Sequence, residues 1–327
     1  MKILVIRFSS IGDIVLTFPV VRCIKQQLPD SEVHFLTKPT FESLLTASEF
    51  IDKSHFLGSD IKQTADALKL EKFDLIIDLH NNLRTHLLTL KLGVKCYRFP
   101  KLNFEKWLLT FLKIDKMPST HVVNRYFETV AKIGVKNDKK NNQFHLSSES
   151  TVNVLTSYQL EAKSYLAVAI GAQFATKRIP EAKLIEILEH LRLPIILLGG
   201  KEDSRQAAIL CQQLSNQKIY NACGKHSLLE SASLVEQAKV LLTNDTGLMH
   251  IAACFAIPIV SVWGNTVPEL GMYAYKPEKE VKIVQFQVPN LSCRPCSKIG
   301  FQSCPKKHFD CMMKQDSVAI RKEIESN

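Results

Sequence analysis

Residues 241–253, LLTNDTGLMHIAA, decide the fold. An unbroken apolar run stops at Asn244-Asp245-Thr246-Gly247, and apolar residues then recur at helical spacing. A strand apolar on both faces and followed at once by a helix points to a parallel sheet covered on both sides. The same alternation runs outward from this stretch. It reads as strand 165–171, helix 181–191, strand PIILLGG to residue 200, helix 203–215, strand IYNAC, helix 228–238, the strand VLLTN itself, helix 248–256, and strand PIVSVWG to residue 264. This predicts a doubly wound α/β domain with right-handed crossovers.

The amino-terminal half repeats the pattern. KILVIRF opens it as a short apolar strand, SSIGD follows, and a helix is expected through IVLTFPVVRCIKQQL. Further strands are expected at EVHFLT and at DLIIDL, residues 74–79. The polar stretch 147–164 carries few structure signals, which places a domain boundary near residue 155, with domains 1–155 and 156–327. A chain of 327 residues exceeds one hydrophobic core, so two domains of roughly 150 residues fit its length. Two such domains in tandem are expected to present their strand carboxyl ends to a shared cleft, where ligands of open α/β sheets bind.

Composition excludes several classes. With 46% apolar residues and no low-complexity tract, the chain is neither disordered nor collagen-like. Met1-Lys2 runs into an apolar stretch too short for a signal peptide, which reads as the start of a cytoplasmic protein. No window approaches the about 18 apolar residues of a membrane-spanning helix. The net charge is +10, and between His80 and Lys116 eight Lys or Arg stand against two acids. Within that region LNFEKWLLTFLKI, residues 102–114, carries Phe104, Trp107, Leu108, Phe111 and Leu112 at helical spacing. An interfacial helix at an anionic membrane surface and a helix packed on its own domain both fit.

The candidate site residues all follow strands. Asp245, Thr246 and Gly247 stand at a helix amino end, where free N–H groups and the helix dipole attract phosphate, and where Asp and Thr also serve as ordinary caps. His250 lies one turn further on. Lys177, beside Arg178, follows the first strand of the second domain; a cation there suits a diphosphate, and a surface pair fits equally. Glu202, after Gly199-Gly200, suits a ribose or a solvated loop. In the first domain Ser9, Ser10, Gly12 and Asp13 directly follow the first strand. No G-x-G-x-x-G and no P-loop occurs, which weakens dinucleotide oxidoreductase and kinase readings. Asp13 suits a helix cap or a general base acting on an acceptor hydroxyl.

At these residues the sequence resembles glycosyltransferase family 9, the heptosyltransferases of the bacterial lipopolysaccharide inner core. SSIGDIVLTFPVV, TNDTGLMHIAA and PIVSVWGNTVPE are similar to that family's signature regions in order and separation. The resemblance implies two facing Rossmann-like doubly wound domains of the GT-B type, the first binding acceptor and the second the nucleotide sugar. It implies an inverting glycosyltransferase that moves a heptose from ADP-heptose to a lipopolysaccharide inner-core acceptor. In the family the acid at the position of Asp13 is the base, the lysine at that of Lys177 meets the diphosphate, and the region of Asp245, Thr246 and Gly247 holds the donor. Two departures stand near the expected donor pocket: Ile179-Pro180 replaces Trp-Pro, and Gly264-Asn265-Thr266 replaces Gly-Pro-Thr.

The chemistry so implied needs no catalytic cofactor, because fixed cations and dipoles stabilise the leaving diphosphate. The basic first domain suits a phosphorylated glycolipid acceptor and peripheral contact with the cytoplasmic face of the inner membrane. Cys293, Cys296, Cys304 and Cys311 cluster near the carboxyl terminus, with spacing compatible with a structural zinc, reduced thiols or a disulfide. Their distance in sequence from the signature loops argues against a catalytic metal. Two alternatives stand beside the heptosyltransferase: a transferase of the same fold using another nucleoside diphosphate sugar, and a nucleotide- or nucleic-acid-binding module. The basic run lacks a nucleic-acid motif, so no nucleic-acid partner is expected.

Overall fold

The computed structural model describes residues Met1–Asn327. Eleven strands form two wholly parallel sheets. The first holds β1 (Lys2–Ile6), β2 (Glu32–Thr37), β3 (Lys53–Phe56), β4 (Leu75–Asp78) and β5 (Cys96–Arg98), ordered β3-β2-β1-β4-β5. The second holds β6 (Leu166–Ala169), β7 (Ile195–Leu198), β8 (Ile219–Asn221), β9 (Val240–Asn244), β10 (Ile259–Trp263) and β11 (Ile283–Gln287), ordered β11-β10-β9-β6-β7-β8.

The chain divides into two compact units. One comprises Met1–Leu102, Ser119–His145 and Tyr275–Glu278; the other comprises Asn103–Pro118, Leu146–Ala274 and Lys279–Asn327. Central strands are buried on both faces: Ile3 through Ile6 and all of β6 are at most 1% exposed. Their uniform apolar sequences follow from that burial. The edge strands β3 (KSHF), β5 (CYR) and β11 (IVQFQ) are only half-buried or exposed, and the sequence reading did not find them. A strand with one covered side has no reason to be uniformly apolar.

The single helix expected after β1 is two: Ile11–Val15 and Phe18–Gln27. Pro19 falls in the first turn of the second, where its missing N–H costs nothing, whereas a continuous helix would clash with its ring. Thr17 marks the break and donates its hydroxyl to the Ile14 carbonyl at 2.7 Å.

In each sheet the strand order reverses once: between β1 and β4 in the first, and between β6 and β9 in the second. Beyond the carboxyl ends of the two strands at such a reversal the connections diverge and leave a crevice for ligand. The residues after β1, β4, β6 and β9 are therefore the positions the fold itself singles out. No helix is long and apolar enough to cross a membrane.

Candidate active site

In the second unit the loops after β6 and β9 meet. Lys177 Nζ lies 2.6 Å from Asp245 Oδ2, and Thr266, beyond the neighbouring β10, donates its hydroxyl to the same oxygen at 2.8 Å. Asp245 is 8% and Thr266 1% exposed, so the carboxylate is held in place by a cation and a hydroxyl rather than by water. An ammonium has three N–H donors, and Lys177, partly open to solvent, spends one on Asp245. The remaining donors suit an anionic ligand. Asn244 and Asn265, at the ends of β9 and β10, are buried, and their carboxamide atoms bond to no protein group. Buried polar atoms are expensive to leave unpaired, so these amides give the crevice hydrogen-bonding capacity for a ligand.

The helix Gly247–Ala252 begins beside this pair. Its N-cap residue, Thr246, has extended backbone and makes no side-chain cap bond, so neither Thr246 nor Asp245 acts as the ordinary cap their types suggested. His250 is buried in that helix.

The loop after β7 carries two acids in different surroundings. Glu202 is exposed, while its neighbour Asp203 is 1% exposed. Asp203 accepts the Gly200 N–H at 2.8 Å and pairs with Arg178 Nη1 at 2.8 Å. Arg178 also donates from Nε to the Ala172 carbonyl at 2.9 Å, so this arginine ties two loops together. Glycine is required beside it: a Cβ on Gly171 would lie 2.3 Å from Asp203 Oδ2, and one on Gly199 2.8 Å.

The cysteine-rich segment packs directly on these loops, although it lies far from them in sequence. Arg294 donates from Nε to the Gly264 carbonyl at 2.5 Å and from Nη2 to Thr266 at 2.9 Å. Phe301 N–H donates to Thr176 Oγ1 at 2.8 Å, and the Phe301 carbonyl accepts the Thr176 N–H at 3.1 Å. Burial, with the other three cysteines nearby, pushes the Cys311 thiol up to about 12. Cys293, Cys296, Cys304 and Cys311 are free and are not gathered to metal-ligating distance; the group whose ligand atoms lie within 4.8 Å of one another is His34, His55 and Glu71. That group is satisfied internally, with His34 Nδ1 2.8 Å from His55 Nε2 and Glu71 paired to Lys53 at 2.5 Å. Of the two departures from the family pattern, Ile179 is a core residue, 1% exposed, and Asn265 directly precedes Thr266 of the Asp245 network.

In the first unit the residues after β1 and β4 also converge. Asp13, in the first turn of helix Ile11–Val15, accepts the Ser10 N–H at 3.2 Å and the Ser10 hydroxyl at 2.8 Å. Its other oxygen pairs with Arg7 Nη2. Arg7 is 8% exposed and donates to the Ser9 carbonyl at 2.9 Å and the Leu79 carbonyl at 2.5 Å. Burial works against this cation, but Asp13, Tyr126 and Asp78 outweigh it and raise its pKa above the ordinary arginine value. Ser9 is half-buried, Ser10 exposed and Gly12 buried. Beyond β4, burial and the nearby Arg7 lower the His80 pKa to about 3, so its imidazole is neutral. Asp13 thus combines capping with an ion pair while remaining partly open to solvent. Sequence reasoning missed Arg7, Asp203 and Arg294. Arg7 had a usable signal, a charged residue directly after a buried strand.

A sequence profile of glycosyltransferase family 9 (heptosyltransferase) matches residues 61–301. Lipooligosaccharide heptosyltransferase 2 of Haemophilus ducreyi is 26% identical over 296 residues, covering 82% of this chain and 84% of its own length. Lipopolysaccharide heptosyltransferase 2 of Escherichia coli is 22% identical over 306 residues, covering 82% and 84%. Among solved structures, a family 9 glycosyl transferase from Veillonella parvula aligns with a TM-score of 0.79 at 18% identity, over 99% of this chain and 96% of that one. An Escherichia coli heptosyltransferase with ADP-2-deoxy-2-fluoro heptose aligns with a TM-score of 0.69 at 19% identity, over 100% of both chains. The structural likenesses establish the GT-B type of fold built from two parallel-sheet α/β domains. With the profile matching well over half of the chain, the chain belongs to glycosyltransferase family 9, the heptosyltransferases, and is a glycosyltransferase.

Proposed function

We propose that the chain transfers a heptose from ADP-heptose to a hydroxyl of a lipopolysaccharide inner-core acceptor, with inversion. The observation that carries this reading is the Lys177–Asp245–Thr266 network at the reversal of the second sheet, in a chain of this family. Support comes also from relatives named as heptosyltransferases and from an Escherichia coli heptosyltransferase solved with ADP. In this reading domain 1–155 binds acceptor through Ser9, Ser10 and Gly12, and domain 156–327 binds donor. Glu202 faces the ribose. Lys177, Asp245, Thr246, Gly247 and His250 form the diphosphate and sugar end.

Asp13 takes the proton from the acceptor hydroxyl as that oxygen attacks the anomeric carbon. The bond from that carbon to the diphosphate breaks, and its electron pair leaves with ADP. Charge that grows on the leaving oxygens is met by Lys177 and by N–H groups near Gly247. Stabilisation of this kind supplies the role a divalent cation plays elsewhere, so no catalytic cofactor is invoked.

Asn265 favours a second reading, transfer from a different nucleoside diphosphate sugar, because its buried carboxamide adds hydrogen-bonding groups where the family carries proline. A thermal-shift series with ADP, UDP, GDP and CDP, each with and without magnesium, separates the two. Ligand at about 100 times its dissociation constant adds about 2.7 kcal/mol of stability, a shift of several degrees. Stabilisation by ADP regardless of magnesium is expected. Stabilisation by another diphosphate instead would move the reading to that donor, and response to none would overturn both.

A further inference from the structure

Fifteen large apolar side chains are exposed, and five of them, Phe104, Trp107, Phe111, Leu112 and Ile114, fall within eleven residues. Apolar residues exposed singly need no explanation, but a contiguous group marks an interaction surface. Helix Asn103–Trp107 continues into one wider π-helical turn, Leu108–Leu112. Phe104, Trp107 and Phe111 stack along one side, with ring centroids 6.1 and 5.6 Å apart. The opposite side is anchored: Leu109 is 7% exposed and packs with Val267, Leu270 and Met117 of the same unit. Lys113 closes the end by donating to the Pro295 carbonyl at 2.6 Å. The rings are held outward on a fixed base.

Charge identifies the occupant. Residues 101–116 carry Lys101, Lys106, Lys113 and Lys116 against Glu105 and Asp115. A second copy of this face would bring like net charges together, which disfavours self-association. An anionic lipid surface answers both features, with the rings at the boundary between acyl chains and headgroups and the exposed Lys116 near phosphates. We propose that the aromatic face of residues 103–114 docks this chain on the surface of an anionic phospholipid bilayer. The proposal does not depend on the donor assigned above.

The chain supplies its own probe. It has two tryptophans, and Trp263 is 0% exposed, so a vesicle-dependent emission change reports on Trp107. With mixed phosphatidylglycerol and phosphatidylethanolamine vesicles, the full chain is expected to co-sediment and its emission to shift to the blue. Phosphatidylcholine vesicles are expected to do neither, and raising salt from about 0.05 to 0.5 M should weaken binding. Phe104→Ser with Phe111→Ser should lower partition about tenfold or more without lowering Tm, since both rings are exposed. Lys116→Ala should weaken it about fivefold. No emission change, equal binding to phosphatidylcholine, or partition undiminished in the double variant would each overturn the proposal. So would a concentration-dependent dimer that the double variant abolishes.

Discussion

Replacing Asp13 by Asn removes one negative charge and leaves the shape of the side chain. The amide oxygen can still accept from Ser10, so the first turn of helix Ile11–Val15 keeps its cap. What is lost is the partner of Arg7, a guanidinium that is 8% exposed. Breaking a fully buried pair costs about 3–5 kcal/mol, but the Asp13 side chain is 22% exposed and Arg7 retains two carbonyl acceptors. About 2 kcal/mol is therefore expected, or a Tm lower by roughly 4–8 °C for a unit of this size. The protein stays folded at assay temperature. Loss of a general base should lower turnover by about 10²–10⁴. Because the Lys177–Asp245 pair belongs to the other unit, ADP affinity should not change. The measurements are scanning calorimetry, ADP titration and transfer kinetics on the one variant. Turnover within about tenfold of the parent would remove Asp13 as the base, and weakened ADP binding would show that the loss is not confined to proton transfer.

Lys177→Ala should weaken ADP binding about 10–100-fold by titration calorimetry, since hydrogen bonds to charged groups contribute about 1.5–3 kcal/mol; unchanged affinity removes it from the site. Gly171→Ala places a Cβ 2.3 Å from Asp203 Oδ2 and should cost about 1–3 kcal/mol in urea unfolding, with weaker ADP binding; a neutral effect would mean that Asp203 is free to move. His80, with its folded pKa lowered to about 3, cannot take up the proton that its unfolded form binds below about 6.5. Its contribution therefore falls as pH drops from 6.5 towards 3, by about 1 kcal/mol per pH unit, and is flat above 6.5. Urea unfolding at pH 7, 6 and 5 should show a slope that His80→Gln reduces; an identical slope in both proteins contradicts the assignment.

What could be read from sequence tracks burial. VLLTN and LAVA announce themselves because β9 and β6 are covered on both faces. KSHF and CYR do not, because edge strands share their composition with loops. Lys177 and Asp245 were both legible as candidate donor residues, since each follows a strand. Their pairing was not, because it comes from β6 and β9 lying side by side although they are distant in sequence. Sequence shows two acids after Gly199-Gly200, Glu202 and Asp203, and not which one turns inward. The backbone decides that, since the Gly200 N–H bonds to Asp203. Reading residues 293–311 as cysteine chemistry obscured Arg294, whose bonds to the carbonyls after β10 join that segment to the site.

Transfer itself is the direct test of the central claim. The chain is incubated with ADP-heptose and lipopolysaccharide lacking its inner-core heptoses, in the presence of EDTA, and followed by ADP release and acceptor mass. The account predicts ADP release coupled to the gain of one heptosyl residue with inverted anomeric configuration, lost in Asp13→Asn. An acceptor left unchanged by ADP-heptose but glycosylated from another nucleoside diphosphate sugar would contradict it.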